Sequence, residues 1–360
     1  MSKAGTKAVQ TAVMGVTGYA GAELARLLVR HPRFRQTPPV FVGRAETKHA
    51  GAHKAQALGE IHPELQDSHG TGSLAVQPFS WELMEDLGVD VLFLATPHEL
   101  SREMVPQARK RGIQVIDLSG AWRLEEAENR VVYGFEDEGS DEALKTQDEA
   151  VYGMPELHRA EIFGAGLIAN PGCYATSVIL ALKPLVAAGL VDLEHGIVAD
   201  AKSGVSGAGK APTAKTHYMY AVDNLSAYAV FGHRHTGELL EQVGVPAESM
   251  IFTPHLLPIP RGILSTIYAR FYEPQTNASV EHVYREFFKG SPMVRLYGAH
   301  LPQIQYSVRT NYCDLGFQLS KDGRKAVIVS CLDNLLKGAA GQAVQNLNVM
   351  QGWGEAEGLE

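Results

Sequence analysis

The stretch AVQTAVMGVTGYAGAELARLLVRHP, residues 8–32, runs from an apolar segment through glycines at 15, 18 and 21 into a helical pattern. Its apolar positions Leu24, Leu27 and Leu28 share one side. This order predicts a strand, a tight turn and a helix. Glycines at such a turn let backbone approach a diphosphate, and the N–H groups and dipole of the helix start supply positive potential without a lysine. The spacing is GxxGxxG rather than GxGxxG, and a glycine triplet alone also fits a ligand-free turn. A second strand, PPVFVGRA (38–45), arrives where a dinucleotide-binding unit places the residue that reads the adenosine ribose. Gly43 and Arg44 stand there in place of an acid. A carboxylate repels a 2′-phosphate and an arginine fork suits it, which favours NADP over NAD; the alternative is an exposed arginine at a strand end.

Two further apolar runs, VDVLFLATP (89–97) and IQVIDLSG (113–120), flank the helical pattern HELSREMVPQARKRG and end in Thr, Pro, Asp and Ser. Apolar strands with polar C-terminal ends predict a doubly wound parallel sheet, with ligands bound at those ends. Arg123, just past DLSGAW, either faces that cleft or belongs to the charged surface stretch 123–128.

A chain of 360 residues predicts about two domains of roughly 100–200 residues each, and so a cleft between them. The formal net charge of −8 gives no electrostatic footprint for nucleic acid or an anionic membrane. No apolar run reaches the roughly 18 residues of a bilayer span, and MSKAGTKAVQ has no signal-peptide core, so a cytoplasmic address is expected. Three cysteines without CxxC spacing, Cys173, Cys313 and Cys331, predict free thiols and no cysteine zinc site.

The second half carries the chemistry. In NPGCYAT (170–176), Pro171 and Gly172 place Cys173 at the start of a helix-like apolar run, Thr176 to Leu190. A thiol there sees unpaired N–H groups and the positive dipole end, which lower its pKa and favour a nucleophile; the plainer reading is a buried thiol that packs. Cys313 and Cys331, in strand-like runs, are read as core residues. A nucleophile needs a base, and FGHRHTGEL offers His233 and His235, which an extended segment would put on one face, with Glu238 placed to orient one of them. As a metal half-site this pair lacks a third ligand, so no metal is expected. The loop AKSGVSGAGKAP (201–212) either approaches a cofactor or oxyanion with its N–H groups or is a surface connection. Arg261 stands at the entry to the alternating strand within HLLPIPRGILSTIYARFY (255–272), and the acidic stretch 136–150 reads as a solvated loop.

Together, GVTGYAGAEL, DLSGAWRL, VYGMPELHR, ANPGCYAT, KSGVSGAG, HRHTGE, PHLLPIPRGILSTIY and CLDNLLKGAAGQAVQNLN resemble the N-acetyl-gamma-glutamyl-phosphate reductase family of arginine biosynthesis, in order from residue 15 to 348. The resemblance implies an α/β fold: a Rossmann-type doubly wound domain (1–170) completed by a C-terminal helix (333–360), and an α+β catalytic and dimerisation domain (171–332) of the glyceraldehyde-phosphate/aspartate-semialdehyde dehydrogenase type. It implies Cys173 as nucleophile, with acid-base work from His233 or His235, supported by Glu238. Contacts to NADP(H) are implied for Gly15, Thr17, Gly18, Tyr19, Gly21, Arg44, Ser203, Gly204 and Asn334. Contacts to the acyl-phosphate substrate are implied for Arg123, Arg261 and Ser206, and the assembly is expected to be a homo-oligomer, dimer or tetramer. The chain departs from the family pattern at Gly237, where a proline is expected, and at Gly120 and Ala121; neither removes a chemical group.

The implied reaction attacks the acyl phosphate with the Cys173 thiolate, releases phosphate, and reduces the resulting thioester to the aldehyde. Rival readings are a sister reductase for aspartyl or amino-adipyl phosphate, a cofactor-free cysteine hydrolase that would leave the glycine turn unused, and a nucleotide sensor that would need no reactive thiol.

Overall fold

The computed structural model describes residues 8–43, 55–66, 70–135 and 139–360. Arg44, on which the NADP reading rests, lies outside the described residues.

Strands β1 (Thr11–Met14), β2 (Val40–Gly43), β3 (Gln56–Ala57), β4 (Ala75–Pro78), β5 (Val91–Leu94), β6 (Gln114–Asp117), β7 (Ala150–Tyr152) and β8 (Leu167–Ala169) form one sheet. Their order is β3-β4-β2-β1-β5-β6-β8-β7. All neighbours are parallel except β3 and β4. β1 and β5 are buried throughout, as continuous apolar runs covered on both faces must be. Helices α1 (Tyr19–Arg30) and α2 (His98–Lys110) follow β1 and β5. From β1 the chain turns to β2 on one side and later resumes with β5 on the other, so the crevice opens where the turns after β1 and β5 meet. The acidic stretch is not a loop in its second part: α3 (Asp141–Glu149) is capped by the Ser140 hydroxyl and buries Ala143 and Thr146. Residues 136–138 lie outside the described residues. Helix α4 (Pro155–Ile162) leads back into β8.

Helix α5 (Cys173–Ala187) opens the second unit. It starts three residues earlier than the apolar run suggested, because Gly172 takes the N-cap position, and positive-φ Gly189 lies just beyond its end. Strands β9 (Ile197–Gly204), β10 (Ser226–Ala227), β11 (Met250–Leu257), β12 (Ile263–Arg270), β13 (Val294–Leu296), β14 (Cys313–Leu319) and β15 (Lys325–Leu332) form a mixed sheet in the order β10-β11-β9-β12-β15-β14-β13. Along β12, Ile263, Ser265, Ile267 and Ala269 turn inward and the residues between them outward. The inward side meets α5, whose Val178, Ile179 and Leu182 are fully buried, each contributing roughly 1.5–3 kcal/mol. Helix α6 (His235–Val243) lies against α5. The expected loop 201–212 begins as strand, since β9 continues through Gly204.

After β15 the chain crosses back through a π-turn, Leu336–Ala340, into α7 (Gly341–Met350), which packs on α1 and α4. Every residue of α7 is buried, its amides included. Asn346 Nδ2 donates to Gly153 O (2.7 Å) and Asn170 Oδ1 (2.9 Å), and Gln342 Nε2 donates to Gly153 O (2.9 Å). Beneath them Lys337 Nζ donates to Glu156 Oε1 and Gln345 Oε1, both at 2.7 Å, with Lys337 and Glu156 side chains wholly buried. Burial pushes the Glu156 carboxyl up, but the Lys337 ammonium and its hydrogen bonds outweigh this and hold it below the usual range. Lys337→Met strands the carboxylate and is expected to cost about 3–5 kcal/mol in urea unfolding. Adding Glu156→Gln should recover part of that loss; a neutral Lys337→Met would mean that the pair is not a stabilising contact.

Candidate functional site

Gly15 has φ +92°, and a Cβ there would sit 2.2 Å from Ala95 O. At Gly21 a Cβ would sit 2.3 Å from Gly15 O. Both positions exclude side chains, so the turn after β1 packs flat against that after β5. Gly18 is the N-cap of α1 and offers no side-chain acceptor, while Thr17 and Tyr19 are exposed. The first-turn N–H groups are therefore unclaimed by a capping side chain and meet the requirement for a diphosphate. Beside them lies a cavity of about 590 Å³, with Tyr19, Arg26, Ser206, Lys210, Arg261 and Arg309 in its wall. The residues present fit a dinucleotide.

Cys173 is the first residue of α5 and is half-buried, whereas Cys313 and Cys331 are buried within β14 and β15. The helix start was expected to lower the Cys173 pKa. Burial instead pushes the thiol up to about 11, although the N–H groups of Tyr174 and of Cys173 itself, and the Arg123 guanidinium, pull the other way. Desolvation of the thiolate outweighs the helix terminus. In this state Cys173 rests as a thiol at neutral pH, and a nucleophilic role would require a base.

The two histidines do not lie on an extended segment. His233 precedes α6 and His235 is its first residue, so the turn sets the rings 4.7 Å apart and nearly perpendicular, at 83°. His233 Nδ1 accepts the His235 backbone N–H at 3.1 Å, and its ring packs edge-on to Tyr174, Tyr228 and Phe252. His235 lies against Gly172, where a Cβ would come within 2.4 Å of its Nε2. Its Nδ1 is buried and has no hydrogen-bond partner among the described residues. Burial, then the charges of His233, Arg123 and Arg234, hold His235 well below its usual range, and burial and Arg234 bring His233 to about 4. Both imidazoles are neutral at pH 7.

Glu238 does not orient His235 by a hydrogen bond, because His235 Nε2 and Glu238 Oε1 are 3.9 Å apart. Its wholly buried carboxylate ties three segments instead. Oε1 accepts from Arg123 Nη1 (3.1 Å), and Oε2 accepts from the Tyr152 hydroxyl (2.7 Å) and from Gly172 N–H (2.9 Å). Burial and this carboxylate raise the Tyr152 pKa well above its usual value, which keeps the hydroxyl a donor. Arg123, expected to hold substrate, is buried, and its Nε and Nη2 also donate to Asn170 O (2.7 Å) and Leu118 O (2.8 Å). Its guanidinium braces the Cys173 turn against the first sheet.

On the other side of the cleft, Asn334 Oδ1 accepts from Gly262 N–H (2.7 Å) and its Nδ2 donates to Ser206 Oγ (2.9 Å). Ser203 Oγ donates to Gly204 O (3.1 Å) and would meet a Cβ on Gly207 at 3.0 Å. Asn334, Ser206, Ser203 and Gly204 are thus brought together. Arg261 is held by Asp333 Oδ1 (3.1 Å from Nη2) and by Glu23 Oε1 (2.7 Å from Nη1). Tyr152, Asp333 and Gly338, whose added Cβ would sit 2.7 Å from Cys173 Cβ, were not picked out as site residues. In VYGMPELHR the phenol before a glycine, and in CLDNLLKG the acid before Asn334, are the sequence signals of these positions. Among the described residues no group of three His, Cys, Asp or Glu could hold a metal ion.

Residues 10–165 match the semialdehyde dehydrogenase NAD binding domain, and residues 173–334 match the semialdehyde dehydrogenase dimerisation domain. Aspartate semialdehyde dehydrogenase II from Vibrio cholerae, solved with ASA, is 18% identical with TM-score 0.68, covering 95% of this chain and 98% of that one. The Candida albicans aspartate semialdehyde dehydrogenase solved with NADP is 16% identical with TM-score 0.64, covering 95% and 98%. At these identities the likeness concerns the fold. The N-acetyl-gamma-glutamyl-phosphate reductase of Methanococcus maripaludis (strain C5) is 41% identical over 352 residues, 96% of either chain. That of Dehalococcoides mccartyi (strain CBDB1) is 40% identical over 361 residues, 98% of either chain. With a doubly wound sheet, a cysteine-led helix and full-length relatives at this identity, the chain belongs to the N-acetyl-gamma-glutamyl-phosphate reductase family of semialdehyde-dehydrogenase-fold enzymes.

Proposed function

We propose that this enzyme reduces N-acetyl-gamma-glutamyl phosphate to N-acetyl-glutamate semialdehyde with release of phosphate, through a thioester on Cys173. The observation that carries the reading is His235, neutral and with a free Nδ1, seated on the glycine that precedes a protonated Cys173. His235 takes the thiol proton as sulfur attacks the acyl carbonyl; the carbon–oxygen bond to phosphate breaks and the thioester forms. Bound NADPH supplies the hydride. The Tyr174 and Cys173 N–H groups, which face the sulfur, stabilise the oxyanion, and the His235 imidazolium returns its proton as carbon–sulfur cleavage frees the aldehyde. The glycine turn, Ser203, Gly204 and Asn334 hold the cofactor and Ser206 the substrate, while Arg261 flanks both.

The assay runs in reverse: semialdehyde, phosphate and NADP are expected to yield reduced nicotinamide. Turnover that persists without phosphate would refute the acyl-phosphate mechanism, and faster turnover of aspartate semialdehyde would favour the sister reductase. Arg44→Asp is expected to shift the preference from NADP toward NAD by about tenfold or more, judged by kcat/KM for each cofactor. An unchanged ratio removes Arg44 from the 2′-phosphate.

We also infer a homo-oligomer, dimer or tetramer, formed through the outer face of the second sheet. Val198, Ile251 and Tyr268 are exposed cross-strand neighbours there, within the span matching a dimerisation domain. Among the described residues no helix is long and apolar enough to cross a membrane. Three unpaired cysteines suit a reducing, cytoplasmic setting.

A further inference from the structure

Among the described residues, four that are not glycine have positive φ, and three of these, Asp223, Ala229 and Phe231, lie in one segment of nine residues. The fourth, Arg309 (φ +66°), stands apart, beside the cofactor cleft. An arginine gains nothing intrinsic from the left-handed region, so something must hold it there. Its backbone N–H donates to Asp333 Oδ2 at 2.7 Å. The other oxygen of this wholly buried carboxylate, Oδ1, accepts from Arg261 Nη2 (3.1 Å) and from Leu335 N–H (2.8 Å). One carboxylate therefore fixes the backbone of Arg309 and the guanidinium of Arg261 together.

The two arginines share the wall of the 590 Å³ cavity beside the glycine turn. Four cations line it, Arg26, Lys210, Arg261 and Arg309, against two acids, Glu23 and Glu64. Glu23 is already paired with Arg261 (2.7 Å) and Arg26 (3.5 Å). The Arg309 side chain is exposed and makes no hydrogen bond or ion pair with any described residue. A second, open cavity that Arg309 also borders offers no other charged group. Of the two cavities that Arg309 borders, only this one holds other cations, Arg26, Lys210 and Arg261, so an anion there would be met by several donors.

We propose that Arg309 is a phosphate-binding residue of this cavity, held by Asp333 in a strained backbone so that its guanidinium closes on the anion. The phosphate is that of the dinucleotide or that of the acyl phosphate, so this rests on the proposed reaction. Arg309→Gly and Arg309→Lys in the full-length protein separate the possibilities, with three readouts: NADPH Kd by fluorescence, KM for inorganic phosphate in the reverse reaction, and Tm. Glycine relieves the φ strain while removing the charge, so Tm is expected to hold or rise by about 1–3 °C while phosphate affinity falls roughly tenfold. Lysine should regain part of the affinity without the gain in Tm. A weakened Kd at unchanged phosphate KM assigns the dinucleotide, and the converse assigns the acyl phosphate. If Arg309→Gly leaves both constants within twofold, or weakens them only together with a fall in Tm that lysine shares, the proposal fails. Should the wild type not turn over the semialdehyde at all, the reaction is wrong, yet the NADPH Kd of the two variants still decides whether Arg309 binds phosphate.

Discussion

Cys173→Ser is expected to lower kcat/KM for the semialdehyde by about four orders of magnitude or more while leaving the NADPH Kd within a few-fold. A serine hydroxyl keeps the shape and the position at the head of α5 but is a far weaker nucleophile and a poorer leaving group. The thiol has a second signature. With burial holding it near 11, alkylation of Cys173 by iodoacetamide in the cofactor-free enzyme should climb about tenfold per pH unit through pH 9 without a neutral plateau. A plateau centred below pH 7 would mean that the helix terminus wins over desolvation after all. Substantial turnover by the serine variant would remove Cys173 from the covalent role.

His235→Asn is expected to cost about 10²–10⁴-fold in kcat, and His233→Asn only about tenfold. The asymmetry follows from geometry. His235 sits on Gly172 with an unclaimed Nδ1, whereas the Nδ1 of His233 is committed to the His235 backbone N–H. His233 thus acts through its neighbour, and an asparagine side chain can still accept that hydrogen bond. Gly172→Ala should resemble His235→Asn, because the added methyl would occupy the place of the imidazole. Small and equal losses in both histidine variants would reject the acid-base assignment.

These expectations lean on Glu238, which draws together Arg123 and Tyr152 from the first unit and Gly172 at the Cys173 turn. A wholly buried carboxylate is stable only when its lone pairs are met, and here the groups that meet it include the backbone N–H immediately before Cys173. The turn that carries Cys173 is therefore positioned by an electrostatic requirement of the core.

Much of this was legible from local pattern. Residues 8–32 determine strand, turn and helix, because hydrophobic periodicity and glycine sterics act over a few residues: Gly15 and Gly21 have no room for a Cβ, and Leu24 and Leu28 face the sheet. Pro171 and Gly172 likewise place Cys173 at a helix start. Only the tertiary structure decided the protonation of that thiol, since desolvation sums over everything packed around it and reverses what the helix terminus alone would do. It also decided that His235 lies against Gly172 while His233 is committed to a backbone N–H, and that the partners of Glu238 are Arg123, Tyr152 and Gly172, residues lying 115, 86 and 66 positions away. Sequence by itself determined the elements and the kinds of group available, because those depend on near neighbours; the charge states and pairings came from contacts between residues far apart in the chain, which only the packed core brings within reach.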